Sequence, residues 1–333
     1  MTPALPQRAD VARRAAIDVG TNTVRLLVVE GESPEGLQIL YEEQIITRLG
    51  EGLTRGQSFH PEAMSRTLAA VHRFAEAARA QGVEEIHVVG TSALREARDR
   101  DTFAQALHQA TRLDLRVISG EEEARLALLG TRWGVEIPSR FLLMDIGGGS
   151  TELIVAEGET IHAVLSLPLG VVHLTESFLS QDPVAWHEYD AMVREIRSRL
   201  LPALPSLVAH LPAPLVGTAG TVTTLAALDL ALPTYDRQRV QGHRLRRGAI
   251  ERLLWRLGTL PVAQRAALPC LEPGRADVII AGIAICLEIL EVAGTDELIV
   301  SDYGLREGIV LDLIVRGGVP PDRTAGAPSA FGP

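Results

Sequence analysis

The chain contains no lysine, and this absence narrows the phosphate chemistry that it can use. All 32 basic residues among the 333 are arginines. A Walker-type P-loop requires a Gly-Lys-Ser/Thr segment whose lysine reaches the terminal phosphates, so this class of nucleotide site is excluded. A phosphate site in this protein must rely on arginine, which can bind bidentately, or on backbone N–H groups.

Cysteines and long apolar runs are also scarce. Cys270 and Cys286 are the only cysteines, too few for a disulfide framework and without metal-ligand spacing. The N-terminal residues lack the apolar core of a secretory signal. The most apolar stretch, 278–290, is too short to span a bilayer and contains Glu288. We therefore expect a cytosolic protein without a membrane partner, and the formal charge of −10 argues against binding of nucleic acid.

Residues 142–159, LLMDIGGGSTELIVAEGE, place three consecutive glycines and two hydroxyl residues between two apolar runs. The runs are typical of strands, and the segment between them is typical of a tight turn. A hairpin needs one or two residues with positive φ, so three glycines exceed that need. We infer that the backbone comes close to another group there, with N–H groups available to an anion. An unusual hairpin is the alternative.

A second copy of this pattern occurs earlier in the chain. Residues 15–32, AAIDVGTNTVRLLVVEGE, repeat the layout of strand, Asp-x-Gly, polar turn and strand. The spacing between Asp18 and Asp145 equals that between Gly90 in VVGTSALREA and Gly217 in LVGTAGTVTT. Two motif pairs with one spacing predict the internal duplication of a whole domain.

Strand and helix patterns alternate along the chain, which predicts the α/β class. We expect a first domain at 14–135, closed by a C-terminal helix at about 304–316, and a second domain at 136–303. The Pro- and Gly-rich ends, 1–13 and 317–333, are predicted to be disordered tails. The spacing of apolar residues predicts helices near 61–81, 183–200, 218–229, 248–258 and 275–293.

Seven segments in order resemble the motif series of the exopolyphosphatase/guanosine pentaphosphate phosphohydrolase family, which belongs to the actin, Hsp70 and sugar-kinase superfamily. The resemblance covers about residues 14–315 and implies two duplicated ribonuclease-H-like domains around a central cleft. It also implies that a phosphoanhydride is hydrolysed in that cleft. The seven segments are DVGTNTVRLLV, GTSALREA, SGEEEARL, DIGGGSTEL, GTAGTVTTLA, GRADVIIAG and SDYGLREGI.

The segment SGEEEARL offers three carboxylates at the start of a predicted helix. Ser119 is a suitable N-cap and Glu122 stands at the capping-box position, while Glu121 is expected in solvent near the positive end of the helix dipole. Glu123 is then left for chemistry. The resemblance assigns Glu123 the role of catalytic base, and a structural role at the helix start is the alternative.

Hydrolysis of a phosphoanhydride needs a positioned water, a base and stabilisation of charge on the transferred phosphoryl group. The two glycine-containing turns supply donors from opposite walls of the cleft. Arg25 occupies the position equivalent to Glu152, so the duplication predicts one cationic and one anionic wall, and the resemblance adds Arg95 as a phosphate-binding arginine. The predicted substrate-binding residues of the turns are Gly20, Thr21, Asn22, Thr23, Gly147, Gly148, Gly149, Ser150 and Thr151.

Asp145 and Glu152 resemble the family's ligands for a divalent cation, and Asp18 is the equivalent of Asp145 in the first domain. Phosphoryl oxygens favour Mg²⁺ held by one or two carboxylates with retained waters. Mg²⁺, or another divalent cation such as Mn²⁺, is therefore the expected cofactor. A capped turn is the alternative role for Asp18.

An arginine-rich segment, 235–247, is expected to guide a polyanionic substrate through Arg244, Arg246 and Arg247, with a plain solvated face as the alternative. Two departures from the family's pattern affect local substrate contacts. One is the Gly-His order in VQGHRL, and the other is His173, where the family often has arginine.

These features together predict a Mg²⁺-dependent exopolyphosphatase that releases orthophosphate from the ends of inorganic polyphosphate. The nearest alternative substrate is guanosine pentaphosphate. From other classes, the fold also allows a nucleotide-binding sugar kinase or a non-catalytic nucleotide sensor. A homodimer is compatible with each of these expectations.

Overall fold

The computed structural model describes residues 12–53, 56–158 and 160–316. The tails predicted at the two ends lie outside these residues, except for residues 12 and 13. The N–H of Ala12 donates to Glu32 at 3.0 Å, and Arg13 begins the first strand. The N-terminal tail predicted at 1–13 therefore includes the start of the folded part.

The first sheet contains five strands: β1 (Arg13–Val19), β2 (Thr23–Glu30), β3 (Gln38–Ile46), β4 (Glu85–Gly90) and β5 (Leu115–Val117). Their order is β3-β2-β1-β4-β5. The first three strands form antiparallel pairs, whereas β1, β4 and β5 run parallel. The antiparallel pairs are joined by short turns, and the parallel strands are joined through helices.

The second sheet contains six strands: β6 (Arg140–Ile146), β7 (Thr151–Glu157), β8 (Thr160–Leu167), β9 (Leu215–Thr218), β10 (Arg244–Arg246) and β11 (Glu297–Val300). Their order is β10-β11-β9-β6-β7-β8. Apart from the antiparallel edge strand β10, the order and directions of the strands repeat those of the first sheet.

The predicted duplication is confirmed at the level of single hydrogen bonds. The ends of β1 and β6 are separated by the same spacing as Asp18 and Asp145. Within the turns, the N–H of Gly20 donates to Thr23 O at 3.0 Å, and the N–H of Gly147 donates to Ser150 O at 2.9 Å. The α/β class and the two related sheets are thus as the sequence predicts, while the domain limits at 135 and 136 stay a prediction.

Four helices follow the strands of the first sheet: α1 (Pro61–Ala80), α2 (Ser92–Glu96), α3 (Arg100–Thr111) and α4 (Gly120–Gly134). Helix α1 agrees with the prediction for 61–81. Its buried residues include Val71, Phe74 and Ala78, which recur at helical spacing and face the first sheet.

Nine further helices lie in the rest of the described chain: α5 (Val171–Phe178), α6 (Trp186–Ala203), α7 (Pro205–Val208), α8 (Ala219–Asp229), α9 (Arg237–Val240), α10 (Arg247–Gly258), α11 (Val262–Arg265), α12 (Ile279–Ala293) and α13 (Leu305–Val315). The helix predicted from 275 begins at Ile279, because Pro273–Arg275 forms a separate 3₁₀ turn. Helix α12 is buried on most sides in the larger core. Among the described residues, no helix is long and apolar enough to cross a membrane.

Helix α13 returns from the second sheet to the first. It packs against α4, β1 and β2, and its residues Leu305, Ile309 and Val310 share a core with Ala16 and Leu27. Two glycines allow α13 and α4 to approach closely: a Cβ at Gly130 would lie 1.9 Å from Gly304 O, and one at Gly308 would lie 1.8 Å from Leu126 O. The C-terminal ends of the parallel strands of both sheets, β1 and β4 in one and β6 and β9 in the other, therefore face one shared cleft.

Candidate active site

The two glycine-containing turns meet across the cleft. A Cβ added to Gly148 would lie 2.9 Å from Thr21 Cβ and 3.0 Å from Asn22 N, and one added to Gly149 would lie 2.7 Å from Thr21 Oγ1. None of the residues 147–149 has a positive φ, so the expectation of a φ requirement is wrong. The glycines are needed for space, because the opposite turn occupies the positions where side chains would begin.

The carbonyl groups of both turns are held by the surrounding protein. Asn22 O accepts from the N–H groups of Thr47 and Arg48, both at 3.0 Å. Gly147 O and Gly148 O accept from the first residues of α5 at 3.1 and 2.9 Å. Within the described part of the chain, the N–H groups of Gly148 and Gly149 have no acceptor. Fixed carbonyls and open N–H groups form a backbone site suited to an anion.

A small inner cavity of about 80 Å³ lies between the turns, and an outer cavity of about 420 Å³ adjoins it. Most of the predicted turn residues line the inner cavity. Thr151 does not, because its hydroxyl donates to Leu169 O at 2.5 Å. The residues that line both cavities are Arg25, Asp145, Ala219, Gly220, Arg275 and Leu305.

Glu123 reaches the inner cavity from the first turn of α4. Ser119 caps this helix, since its hydroxyl accepts from the N–H of Glu122 at 3.1 Å. The Glu122 side chain pairs with Arg116 instead of returning to Ser119, so the predicted capping box is only half formed. Arg95 donates to Glu123 Oε2 at 2.5 Å. Burial raises the pKa of Glu123 to about 7 although Arg95 opposes this shift.

Three more carboxylates are buried beside Glu123. Burial raises the pKa of Asp18 and of Asp145 to about 6, and it raises the pKa of Glu152 well above its usual range. Asp18 and Asp145 line the inner cavity, whereas Glu152 lies behind it and accepts from the Ser166 hydroxyl at 2.8 Å. Four acidic side chains are therefore grouped at or next to the inner cavity.

The arginines of the cleft have different surroundings. Arg25 lines both cavities and, among the described residues, has neither a hydrogen bond nor a carboxylate at ion-pair distance. It lies opposite Asp18 in the β1–β2 pair, where the β6–β7 pair has Glu152 opposite Asp145. Arg95 lines neither cavity and is brought to Glu123 instead. Arg25 is therefore an arginine of the cleft that remains open to an anionic ligand.

The structure does not bring the predicted arginine track to the cleft. Arg244 pairs with Glu297 at 2.6 Å, and Arg247 pairs with Glu291 at 2.6 Å. Arg246 is exposed at the end of the edge strand β10, and none of the three lines either cavity. Arg237, from the same arginine-rich segment, does line the outer cavity.

Arg275 and Ser92 also line the cavities although the sequence reading did not single them out. The Arg275 guanidinium lies over Gly220, where an added Cβ would be 1.4 Å from Nη1. Arg275 lies in the motif GRADVIIAG, and Ser92 lies in the motif GTSALREA. Their place in these motifs is the sequence signal that could have identified them.

The residues fit a divalent cation in part. Among the described residues, no group of three or more His, Cys, Asp or Glu side chains is arranged as a metal site. Asp18 Oδ1, however, is buried without a hydrogen-bond partner, and Asp145 faces the same cavity. Two carboxylates with additional oxygens from substrate and water are the ligands that Mg²⁺ commonly uses. Asp18 and Asp145 would hold such an ion, and Glu152 would not contact it directly.

Comparisons with known proteins agree with this chemistry. A sequence profile described as the Ppx/GppA phosphatase family matches residues 27–316. Exopolyphosphatase 2 of Mycobacterium tuberculosis is 36% identical over 316 aligned residues, covering 91% of this chain and 99% of that protein. A guanosine-5'-triphosphate,3'-diphosphate pyrophosphatase of Vibrio vulnificus is 31% identical, covering 90% of this chain and 59% of its own length.

Solved structures give the same result. An exopolyphosphatase from Cytophaga hutchinsonii superimposes with a TM-score of 0.85 at 26% identity, covering 91% of this chain and 98% of that one. The Ppx/GppA family member of Aquifex aeolicus gives 0.77 at 32% identity, covering 93% and 100%. The fold and the cleft thus define a phosphoanhydride hydrolase built from two ribonuclease-H-like units. The chain belongs to the Ppx/GppA phosphatase family.

Proposed function

We propose that the protein hydrolyses inorganic polyphosphate from its ends and releases orthophosphate, with Glu123 as the general base. The observation that carries this proposal is the difference between the two cavities. The outer one, of about 420 Å³, has the size of a small-ligand site, while the inner one has only about 80 Å³. Glu123, which is held by Arg95, lines the inner cavity but not the outer one. We infer that the end of a chain can enter this small space, whereas a continuing chain does not fit through it.

The groups around the inner cavity suit the charge of a terminal phosphoryl group. The N–H groups of Gly148 and Gly149 and the guanidinium of Arg25 are available donors. Donors fixed before the substrate arrives stabilise developing charge without reorganisation. Glu123 lines the same cavity, where it can accept a proton from the attacking water. Arg95 holds the Glu123 carboxylate in place.

A divalent cation at Asp18 and Asp145 would neutralise phosphoryl oxygens when bound. Mg²⁺ is the expected ion, and Mn²⁺ is the substitute to test. Without a cation, the two carboxylates would repel a polyanion from the cavity that both of them line.

Guanosine pentaphosphate is the second candidate substrate. The outer cavity favours it, because Tyr235, Cys270 and Leu271 supply apolar surface beside the arginines. A nucleoside could occupy this space while its terminal phosphate reached the inner cavity. The relative from Vibrio vulnificus, whose name describes cleavage of this kind of nucleotide, also supports it.

The test is to measure phosphate release from long polyphosphate, tripolyphosphate and guanosine pentaphosphate side by side, with and without added Mg²⁺. We expect orthophosphate from both inorganic substrates, and activity that is lost on chelation and restored by Mg²⁺ or Mn²⁺. Release only from guanosine pentaphosphate would transfer the proposal to the nucleotide. Full activity in excess chelator would show that the reaction does not need a divalent cation.

A further inference from the structure

The ion pair between Glu123 and Arg95 joins the lining of the inner cavity to that of a separate hollow on the protein surface. Glu123 lines the inner cavity, and Arg95, which donates to it at 2.5 Å, lines the hollow. The two spaces share no lining residue. The Arg95 side chain is 23% exposed, although its guanidinium contacts a buried carboxylate. The Glu123–Arg95 pair therefore lies between the inner cavity and the hollow.

The hollow is large, and part of its lining consists of charged side chains. Its volume is about 410 Å³, and it lies between the end of β5 and helices α2 and α3. Arg100 lines it, and its one carboxylate neighbour among the described residues is Asp101 at 3.7 Å. The Asp101 side chain is 90% exposed, so this contact is a weak surface pair. An anion that reached Arg95 from inside would next meet Arg100.

The proposed function creates a need for a second way out. A polyphosphate enters through the outer cavity, and its terminal phosphoryl group reaches the inner cavity beside Glu123. Water forms a new P–O bond, the bridging P–O bond breaks with its electron pair going to the shortened chain, and the water proton passes to Glu123. The orthophosphate then lies between Glu123 and the shortened chain. By way of the outer cavity it could leave only after that chain had left.

We propose that orthophosphate leaves through the hollow, with Arg95 turning away from Glu123 to open the way. This inference rests on the proposed function. Arg95 is the penultimate residue of the five-residue helix α2, and besides Glu123 its guanidinium contacts Ile118 O at 3.1 Å and Ser150 Oγ at 3.5 Å. A phosphate can replace the carboxylate as its partner, because a guanidinium binds both ions in the same forked geometry.

The test fills the hollow without changing a residue of the cleft. Ala104 on α3 is half-buried and lines the hollow, so Ala104→Trp should obstruct it. Gln109→Trp is the matched control, because Gln109 is exposed on the same helix and does not line the hollow. The measurement is the number of orthophosphates released per binding event from labelled long polyphosphate, with excess unlabelled polyphosphate as a trap.

For Ala104→Trp we expect about tenfold fewer phosphates per binding event than for Gln109→Trp, because release would await departure of the chain. Single-turnover cleavage should not change. Turnover of tripolyphosphate should also hold, since its short remainder can leave through the outer cavity. Should Ala104→Trp not fold, Ala104→Cys modified with a bulky maleimide after folding gives the same obstruction. Wild type treated with the same reagent controls for the two native cysteines.

Each outcome decides between the two proposals. Equal release per event from both tryptophan variants would overturn the rear exit and leave the proposed function intact. A wild type that releases one phosphate per binding event would do the same. A wild type that releases no phosphate from polyphosphate would overturn the proposed function, and the exit with it.

Discussion

Helices α4 and α13 each follow the corresponding strand of their sheets, and each carries a buried glutamate in its first turn. Glu307 has both oxygens engaged, since Oε2 accepts from the N–H of Gly304 at 2.9 Å and Oε1 accepts from Arg306 at 2.7 Å. Glu123 has a donor on Oε2 only, among the described residues, and lines the inner cavity. The two glutamates stand one position apart in the first turn: Glu307 is the third residue of α13 and caps its own helix at the edge of the outer cavity, whereas Glu123 is the fourth residue of α4 and reaches the inner cavity.

The β1–β2 and β6–β7 hairpins also share one backbone arrangement but differ in a side chain. Asp18 pairs in register with Arg25, and Asp145 pairs with Glu152. The backbone around these residues is the same in both copies, so the difference is purely one of charge. The duplication produced two hairpins with the same strand pairing. Divergence of one side chain then gave the first hairpin a cation, Arg25, and the second hairpin an additional carboxylate, Glu152.

The strongest way to test this comparison is to remove each glutamate in turn. Glu123→Gln should keep its fold while kcat falls by about 10²–10⁴-fold, the usual contribution of a general base. Glu307→Gln should lower the free energy of unfolding instead, because its two donors would lose a charged acceptor. Orthophosphate release and urea unfolding measure the two effects.

Glu121→Gln is the control on the same turn of α4, where the side chain is exposed. It should match wild type in both measurements. Near-normal turnover by a folded Glu123→Gln protein would remove Glu123 from the mechanism.

The second test adds one methyl group at the contact between the two glycine-containing turns. A Cβ at Gly148 would lie 2.9 Å from Thr21, so Gly148→Ala should push the opposite turn away and lower kcat/KM by roughly 10–10²-fold. Gly248→Ala is the matched control, because its Cβ would lie 3.7 Å from the flexible end of Arg252 in helix α10. Wild-type kinetics for Gly148→Ala would mean that the turns need not approach this closely for catalysis.

The third test uses pH, which should move activity and stability in opposite directions. Because burial raises the pKa of Glu123 to about 7, activity should increase as pH rises through that value and the base becomes ionised. Values of kcat/KM measured across this range, at substrate concentrations below KM, would report the change, because they depend on ionisation of the free enzyme. A rate that is flat between pH 6 and 8, a window on the order of one unit either side of that pKa, would contradict the assignment.

Stability should show the reverse trend. A carboxyl group with a raised pKa binds more protons in the folded protein, so its contribution to stability is full below its usual pKa near 4 and is lost as pH rises through the folded value. For Asp18 and Asp145, that folded value is about 6. Without divalent cations, the free energy of unfolding should therefore fall between pH 4 and 7, and Asp18→Asn should flatten the fall. Added Mg²⁺ should restore stability at the upper end, because it binds the folded state.

The smallest effect should come from the edge strand of the second sheet. Replacing Arg244, Arg246 and Arg247 by Gln breaks exposed ion pairs, which contribute only about 0–1 kcal/mol each. Because none of the three lines either cavity, KM for long polyphosphate should rise at most a few-fold and its salt dependence should flatten only slightly, by analogy with counterion release from nucleic acids. Tripolyphosphate should be unaffected, and equal losses on both substrates would indicate a structural role.

The sequence alone predicts what depends on local pattern. The two hairpins, the Ser119 cap and the place of Glu123 follow from residues within one turn or one strand pair, and the structure contains each of these features. The sequence predicts a close approach at the three glycines, but it does not identify the group that they approach, which is the turn after β1 in the other half of the duplication. Local propensities carry no information about contacts between segments so far apart in the chain.

The arginines show the same limit more plainly. Arg275 reaches the cleft because the turn at Pro273–Arg275 packs on the distant strand β3, where Gly274 meets Ile46. Arg244 faces outward because β10 pairs with β11, which follows only after α10, α11 and α12. Charge composition identified the arginine-rich segment, but only tertiary pairing decides which of its members meet the substrate.

The return of α13 to the first sheet means that the chain crosses between the sheets twice. The crossings follow Val117 and Val300, because α4 packs on β6, β7 and β8 of the second sheet and α13 packs on β1 and β2 of the first. The far end of α4 meets the second crossing, since a Cβ at Gly134 would lie 1.4 Å from the Tyr303 ring and Thr131 donates to Tyr303 O at 3.2 Å. We infer that the packed pair of α4 and α13 forms a hinge between the sheets. We expect the sheets to swing apart about this hinge, so that the turns separate most while the glutamate-bearing helix starts move least.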